Sequence, residues 1–567
     1  MSDALQRQKV PKADPGAMKT PIKLIFLAFV ASIMLVPGIA QMPPLDRDES
    51  RYIQATKQMV ESGNYVDIRL QDVPRYKKPI GIYWLQSAAV SLNPSSETAG
   101  VWNYRLVSTI AGVASVLLVY WIGTMFFGTN VGLLSGLMFA GLMALNMEAR
   151  IAKTDTVLIA LALLAQGALA KLYLARQPTA PKAGFGYDRL FWVAQGLAIL
   201  IKGPVVPMLS GLTIAALAIT RRDRRWLTDL RSGTGILITI LIAAPWLVLI
   251  TANAGLEFWQ ESLMKDLFGK VATGQESHGF PPGYYFLLSV LFLWPFGHLV
   301  VQSLSSAGKR AIRSKRLLFL VCWFVPFWIA YELIPTKLPH YVYPAYPAVI
   351  ILAAWGLVRG ARIAADAPLW LRILGMLSQA GVLLVSLIVA VGAIGAPIYV
   401  NGQIDFWGVL LAIFALVTGW LGSGYKVSLA PLKRVCAATA SAGVTYALAY
   451  GIVAPSLTPA WISPQIADAF YAAKPCDNSI LATSGYKEPS LVFLTATETK
   501  RTSVEGVAKH LISSPDCGVG VVADRDTERF TALLKEQGLS AEVIGFAEGI
   551  NYSKGDQARF NLYKVVR

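Results

Sequence analysis

Long apolar runs separated by short charged connections dominate the chain from position 21 to about 453. Each run approaches 20 residues, enough to cross a hydrocarbon core of about 30 Å as a helix. The runs fall at about 21–40, 104–126, 129–146, 154–174, 190–203, 205–220, 234–252, 283–302, 317–334, 341–358, 373–398, 405–423 and 433–453. That predicts about 13 transmembrane helices. The short pair 190–203 and 205–220 flanks IKGPVVP (201–207), where a re-entrant or proline-kinked span is expected. After about 457 the period changes. SILATSGY (479–486) and GVGVVADR (518–525) read as strands, whereas SVEGVAKHLISS (503–514) and TERFTALLKEQG (527–538) read as amphipathic helices. This alternation predicts a small C-terminal α/β domain, 457–567, behind a transmembrane domain, 1–456.

The composition agrees with a membrane protein: of 567 residues, 54% are hydrophobic and 15% charged, so no soluble globular class fits. The net charge of +17 changes the picture only through its distribution. Lys and Arg gather in alternate connections, RRDRRWLTDLR (221–231), KRAIRSKR (309–316), VRGARIAADAPLWLR (358–372) and YKVSLAPLKR (425–434), and also in KLYLARQPTAPKAGFGYDR (171–189). That bias orients the chain with its basic loops and amino terminus in the cytoplasm and its tail on the outer side of the membrane. It is topology charge, so nucleic acid is not an expected partner. The flank PGIAQMPPL (37–45) is a poor cleavage site, so the first run is read as a retained signal anchor. Cys476 and Cys517 both fall in the outer domain, where an oxidising compartment permits a disulfide.

The first outer loop, 41–103, is crowded with charge. ESRYIQATKQMVES (49–62) places Tyr52, Ala55, Met59 and Val60 at helical spacing, an amphipathic helix at the membrane interface; PIGIYWLQSAAVSL (79–92) predicts a second. Asp46, Asp48 and Glu49 stand at the first helix's start, more acid than one cap needs. Arg75, Lys77 and Lys78 follow, cations suited to an anionic headgroup. An acid cluster and a base cluster at headgroup level point to a catalyst of phospholipid-like substrates. A second outer junction, NMEARIAKTDTVLIAL (146–161), carries Glu148, Arg150, Lys153 and Asp155 at a depth where ionisable groups are costly. Further outer connections hold Glu276 with His278, and Lys337 with His340 and Tyr341. No two-histidine zinc spacing is present.

The runs DESRY (48–52), PRYKKPIGIYW (74–84), ARIAKTD (149–155), IKGP (201–204) and TKLPHYVYP (336–344), in this order and topology, resemble the bacterial branch of the protein O-mannosyltransferase superfamily. The similarity is greatest to its lipid A aminoarabinose transferase type. SGYKEPSLVF (484–493) in the tail looks like a segment that bacterial members carry. The resemblance spans nearly the whole chain and implies a GT-C integral-membrane glycosyltransferase. Such an enzyme transfers a sugar, with inversion, from a polyprenyl (undecaprenyl) phosphate to a lipid A, glycan or protein acceptor at the periplasmic face. A flippase or transporter of polyprenyl-linked sugars is the alternative, and it calls for charges near mid-bilayer and repeated halves.

Residue by residue, the resemblance implies Asp48 as principal catalytic carboxylate, with Glu49 beside it and Asp155 as second carboxylate. It implies Lys78 on the lipid phosphate and Arg51 in the acidic motif, with Tyr52, Lys202, Lys337 and Tyr341 also on the donor. Lys77, Glu276, His278 and His340 are acceptor or pocket candidates. In the aminoarabinose transferases an acid commonly precedes the phosphate lysine. Lys77 stands there instead, which leaves the sugar open among aminoarabinose, hexose, hexosamine and uronic acid. No cofactor is called for; a divalent cation at Asp48 and Asp155 is admissible but not indicated. Membrane lipids surround the chain, which is expected to act as a monomer.

Overall fold

Residues 20–93, 99–175, 186–221, 223–269, 279–552 and 555–566 are described by a computed structural model. The membrane part runs through α1 (Thr20–Leu35), then α2 (Asp48–Ser62), the two-residue strands β1 (Arg69–Leu70) and β2 (Val73–Pro74), and α3 (Gly81–Val90). It continues with α4 (Val101–Phe127), α5 (Thr129–Ala140), α6 (Met143–Glu148), α7 (Asp155–Ala175), α8 (Tyr187–Lys202), α9 (Val205–Thr220) and α10 (Ser232–Ala254). Then follow α11 (Tyr284–Phe292), α12 (Gly297–Arg313), α13 (Lys315–Leu333), α14 (Tyr346–Val358), α15 (Leu369–Asn401), α16 (Phe406–Ser423) and α17 (Pro431–Leu448). Every run predicted to cross falls on helix. Among the described residues, eight helices are long and apolar enough to span by themselves, and α11 with α12 makes a ninth if that pair, bent by 119°, is one span.

Burial sorts the spans. The window of α7 is 83% buried and that of the segment containing α10 only 22%, so α7 is a central pillar and α10 a lipid-facing flank. Without a hydrophobic force between helices in lipid, close backbone approach needs small side chains. Gly132 of α5 shows this: a Cβ there would lie 2.7 Å from the Tyr120 carbonyl oxygen of α4. The break expected near 201–207 is real. Helix α8 stops at Lys202, Gly203 takes φ +63°, a conformation glycine adopts at little cost, and α9 restarts after Pro204. That break leaves Lys202 at the end of the span instead of inside it.

The tail is a three-layer unit with α18 (Ile462–Ala473), β3 (Leu481–Thr483), α19 (Pro489–Leu494), β4 (Lys500–Arg501), α20 (Val504–Ser513), β5 (Val519–Ala523), α21 (Thr527–Lys535), β6 (Ser540–Asn551) and β7 (Asp556–Val566). Strand order is β4-β3-β5-β7-β6, with β4 and β5 parallel to β3, and β7 antiparallel to both β5 and β6. Helices α18 and α19 cover one face and α20 and α21 the other. Cys476 and Cys517 form a disulfide, Cα atoms 5.3 Å apart.

Polar contacts clamp this unit onto the first loop. Gln54 Nε2 donates to Thr497 Oγ1 (2.9 Å), Lys57 Nζ to the Phe493 carbonyl (3.0 Å) and Gln71 Nε2 to the carbonyls of Thr497 (2.8 Å) and Thr499 (2.6 Å). Asp46 adds two more, accepting at Oδ1 from Ser490 Oγ and donating its backbone N–H to Tyr552 Oη (2.7 Å). The loop helix α2 is therefore held between the spans and the tail.

Candidate active site

Five chain segments converge where α7, α8 and α13 end. The cavity there, 140 Å³, is lined by Lys78, Asp155, Lys202, Tyr331, His340 and Tyr341 among others, with Leu158, Ile159, Val205 and Met208 supplying an apolar wall. Asp155 opens α7, and the axial position of its carboxylate follows from the chain entering the span there. Its Oδ1 accepts from Lys202 Nζ at 2.6 Å and lies 3.7 Å from His340 Nε2; Lys153 Nζ is 3.7 Å from Oδ2. Lys153 Nζ also meets Glu148 Oε2 at 2.9 Å. Lys202 Nζ sits 5.6 Å from the centroid of the Tyr341 ring, a cation over a π-face. The result is a slot with an oily side and a cationic side, organised around one buried carboxylate.

The structure assembles Asp155, Lys202, Lys78, His340 and Tyr341 from positions up to 263 residues apart (78 to 341). Asp48 stands beside this cavity and not in its wall. It is exposed, 3.7 Å from Arg51 Nη1, and its charge is felt at Lys153, Tyr52, Arg75 and Tyr83. Tyr52 is buried; the Arg75 guanidinium stacks 5.1 Å above its ring and donates from Nε to Tyr83 Oη at 3.3 Å. Arg75 thus takes an inner position in the base cluster, while Lys77 is exposed and Lys78 half-buried.

Two of the expected site residues are occupied elsewhere. Glu49 is buried, and its carboxylate takes Arg105 Nε at 2.8 Å and Nη2 at 2.7 Å, the Ala152 N–H at 2.8 Å and the Leu45 N–H at 2.9 Å. Four donors saturate it, so it fastens loop to span. Lys337 donates to the carbonyls of Glu332 (2.9 Å) and Ile334 (2.6 Å), closing the end of α13. Arg150 likewise spends its guanidinium on the carbonyls of Met34, Pro37 and Asn146. Glu276 and His278 lie outside the described residues. Sequence reasoning missed Arg105 and Tyr331. Arg105 was findable, because an arginine at a span's end needs a carboxylate partner.

Among the described residues, no group of three or more His, Cys, Asp or Glu side chains gathers to hold a metal. The cations around Asp155 also oppose a divalent ion at that carboxylate, so the residues present do not fit one. A larger cavity of 680 Å³, mostly in the tail, is lined by the acids Asp524, Glu548 and Asp556 against Arg525 and Arg559, and Arg559 is already paired with Glu548 at 3.8 Å. It offers a lipid phosphate far less than the slot at Asp155 does.

Comparisons with known proteins bear on the fold and the class of the chain. The family described as "Dolichyl-phosphate-mannose-protein mannosyltransferase" matches residues 77–249. An undecaprenyl phosphate-alpha-4-amino-4-deoxy-L-arabinose arabinosyl transferase 2 from Proteus mirabilis is 26% identical, covering 71% of this chain and 71% of that protein. An arabinosyl transferase of the same description from Erwinia tasmaniensis is 25% identical, covering 94% of this chain and 95% of its own. Among solved structures, ArnT from Cupriavidus metallidurans bound to undecaprenyl phosphate superposes with TM-score 0.70 at 18% identity, over 96% of this chain and 98% of that one. This chain has the GT-C fold and is a multi-pass membrane glycosyltransferase of the bacterial inner membrane.

Proposed function

We propose that the chain transfers a sugar, with inversion, from undecaprenyl phosphate to an acceptor at the periplasmic face, with lipid A the favoured acceptor and a pentose such as aminoarabinose the favoured sugar. The observation that carries this reading is the slot itself. Lys78, Lys202 and His340 face one pocket with an apolar wall, chemistry that suits a phosphate head on an isoprenoid tail. The relatives' names supply the sugar and acceptor, and Lys77 in place of the expected acid is the residue to examine for sugar choice.

In this reaction the bond between the anomeric carbon and the phosphate oxygen breaks, and its electron pair stays on the phosphate. Lys78 and Lys202 stabilise that growing negative charge. Asp155 holds Lys202 through the 2.6 Å ion pair, and so positions a cation without touching the sugar. An acceptor oxygen attacks the opposite face of the anomeric carbon. If that oxygen is a hydroxyl, Asp48 takes its proton; if it belongs to a phosphate, no proton moves and Asp48 orients the acceptor. The basic loops and amino terminus lie in the cytoplasm, the tail in the periplasm, and one chain suffices.

The flippase alternative needs charges at mid-bilayer, whereas these ionisable groups collect at the ends of spans. The deciding experiment incubates the purified chain with undecaprenyl phosphate-linked aminoarabinose and lipid A, followed by mass spectrometry. Lipid A gains one pentose per transfer and free undecaprenyl phosphate accumulates. A chain that moves the donor across vesicles while leaving both substrates intact would defeat the proposal.

A further inference from the structure

The opposite end of the membrane domain carries a second cavity. Helix α14 starts next to the site segment His340–Tyr341 and runs to Val358; beyond it, Gly360–Ala365 line a cavity of 590 Å³ on the other face. The beginning of α15, the turn after α16 and the start of α17 complete its wall. Three arginines line it: Arg362, Arg372 and Arg434. Among the described residues, the lining contains no Asp or Glu and none of the three forms an ion pair.

Topology charge alone requires cations on loops, but it does not require a shaped concavity to hold them. Two features show that this one is built. Arg434 is fixed by donating Nε to the Leu421 carbonyl and Nη2 to the Gly422 carbonyl, each at 2.8 Å. Gly424, at φ +68°, leaves room for that guanidinium, because a Cβ there would lie 2.3 Å from Nη2. The inner wall is polar as well: His298 Nδ1 is 2.9 Å from Ser378 Oγ, and His298 Nε2 is 2.9 Å from Gln302 Nε2. Just outside, Trp370, Leu377 and Leu432 are exposed apolar side chains on the membrane helices. Cations inside and lipid-facing apolar residues at the rim call for a ligand with an anionic head and acyl chains.

We propose that this cavity binds the headgroup of an anionic phospholipid from the cytoplasmic leaflet, with Arg362 and Arg372 gripping the phosphate and the fixed Arg434 forming the floor. Basic pockets between spans on this side are suited to such headgroups. The site is independent of the sugar-transfer reading, because it lies a full span away from the Asp155 slot.

The test uses the full chain purified in detergent and supplied with phosphatidylglycerol, with phosphatidylethanolamine, or with inorganic phosphate. The readouts are native mass spectrometry for retained lipid and thermal unfolding. One phosphatidylglycerol is expected to stay bound and raise the unfolding temperature, with phosphatidylethanolamine doing neither. The R362Q/R372Q variant loses two exposed cations and leaves the Arg434 anchor intact; retention falls about 30-fold, on the scale of two juxtamembrane cations. The control R225Q/R316Q removes equal charge from the same face outside the cavity and keeps wild-type retention. Equal loss in both double variants would reduce the effect to general surface charge and overturn the site. A thermal shift reproduced by inorganic phosphate would overturn the lipid as the ligand, as would equal retention of the two lipids.

Discussion

Glu49, at the start of the loop helix α2, and Asp155, at the outer end of the span α7, are both buried carboxylates, and they differ in what remains unused around them. Glu49 accepts from Arg105 twice and from two backbone N–H groups. Among the described residues, Asp155 meets only the tips of Lys153, Lys202 and His340, at the edge of a cavity. The first arrangement is closed and rigid: it holds the acidic loop against the spans, so that Asp48, one residue earlier, stands at a fixed point. The second is open, because lysine tips can turn from the carboxylate toward an arriving phosphate. Burial and charge alone do not separate structure from chemistry; the count of filled hydrogen-bond positions does.

The largest effect expected is on stability. Glu49→Gln leaves Arg105 buried without its counter-charge, which costs about 3–5 kcal/mol. Thermal unfolding in detergent should show it as a large loss of folded protein even when substrate is absent. A Glu49→Gln chain of normal stability but no turnover would move Glu49 into the chemistry and break the comparison. Asp155→Asn should do the reverse. Folding persists because the lysines retain water and Glu148 nearby, while turnover falls about 100- to 1,000-fold through loss of the ion pair that aims Lys202. KM for the donor and kcat measured together sharpen the assignment, since a positioning role lowers kcat more than it raises KM.

The sequence made the site conspicuous for a physical reason. In an oily chain each ionisable group stands out, so Asp155, Lys202, Lys78 and His340 could be singled out from hydropathy and resemblance together. What hydropathy cannot carry is pairing across distance. Arg105 lies 56 residues from Glu49, and Lys337 resembles a phosphate ligand until its carbonyl partners are seen. The spans themselves were legible, because a run of apolar residues in lipid has few alternatives to helix. In the tail, β3, β5, α20 and α21 were legible, but the β6–β7 hairpin was not. Residues along β6 are mostly exposed or half-buried, so the alternation that marks a strand is blurred. Without β6 and β7 the sheet would have three strands, and Tyr552, the tail's contact with Asp46, would have no evident place.

Lys78→Ala tests the open side of the comparison directly. Lys78 is half-buried at the cavity mouth, so removing its side chain should leave thermal unfolding close to wild type. Loss of one preorganised cation from the leaving phosphate is expected to slow transfer about 100-fold. Single-turnover kinetics with lipid-linked sugar reads this step without product release. If turnover is unchanged and Lys202→Gln is equally silent, the phosphate does not sit in this slot.

The smallest effect concerns pH and the clamp between first loop and tail. Burial raises the Asp46 carboxyl from 3.8 to about 6, with Glu488 adding to the shift and Ser490, Tyr552 and Arg47 opposing it. The folded value lies above the unfolded one, so the protonated form is favoured by docking. The stabilisation is fully present below 3.8 and is lost as pH rises through about 6. Asp46 is only partly buried, and solvent screening keeps the difference on the order of 1 kcal/mol. Hydrogen exchange over residues 45–52, corrected for intrinsic rates, should therefore be slower to open at pH 5 than at pH 7. In Asp46→Asn, which keeps an acceptor for Ser490 but cannot titrate, that difference should vanish while the Glu49–Arg105 contacts stay protected at both values. A pH difference that survives in Asp46→Asn would assign it to another group and leave the clamp insensitive to protons.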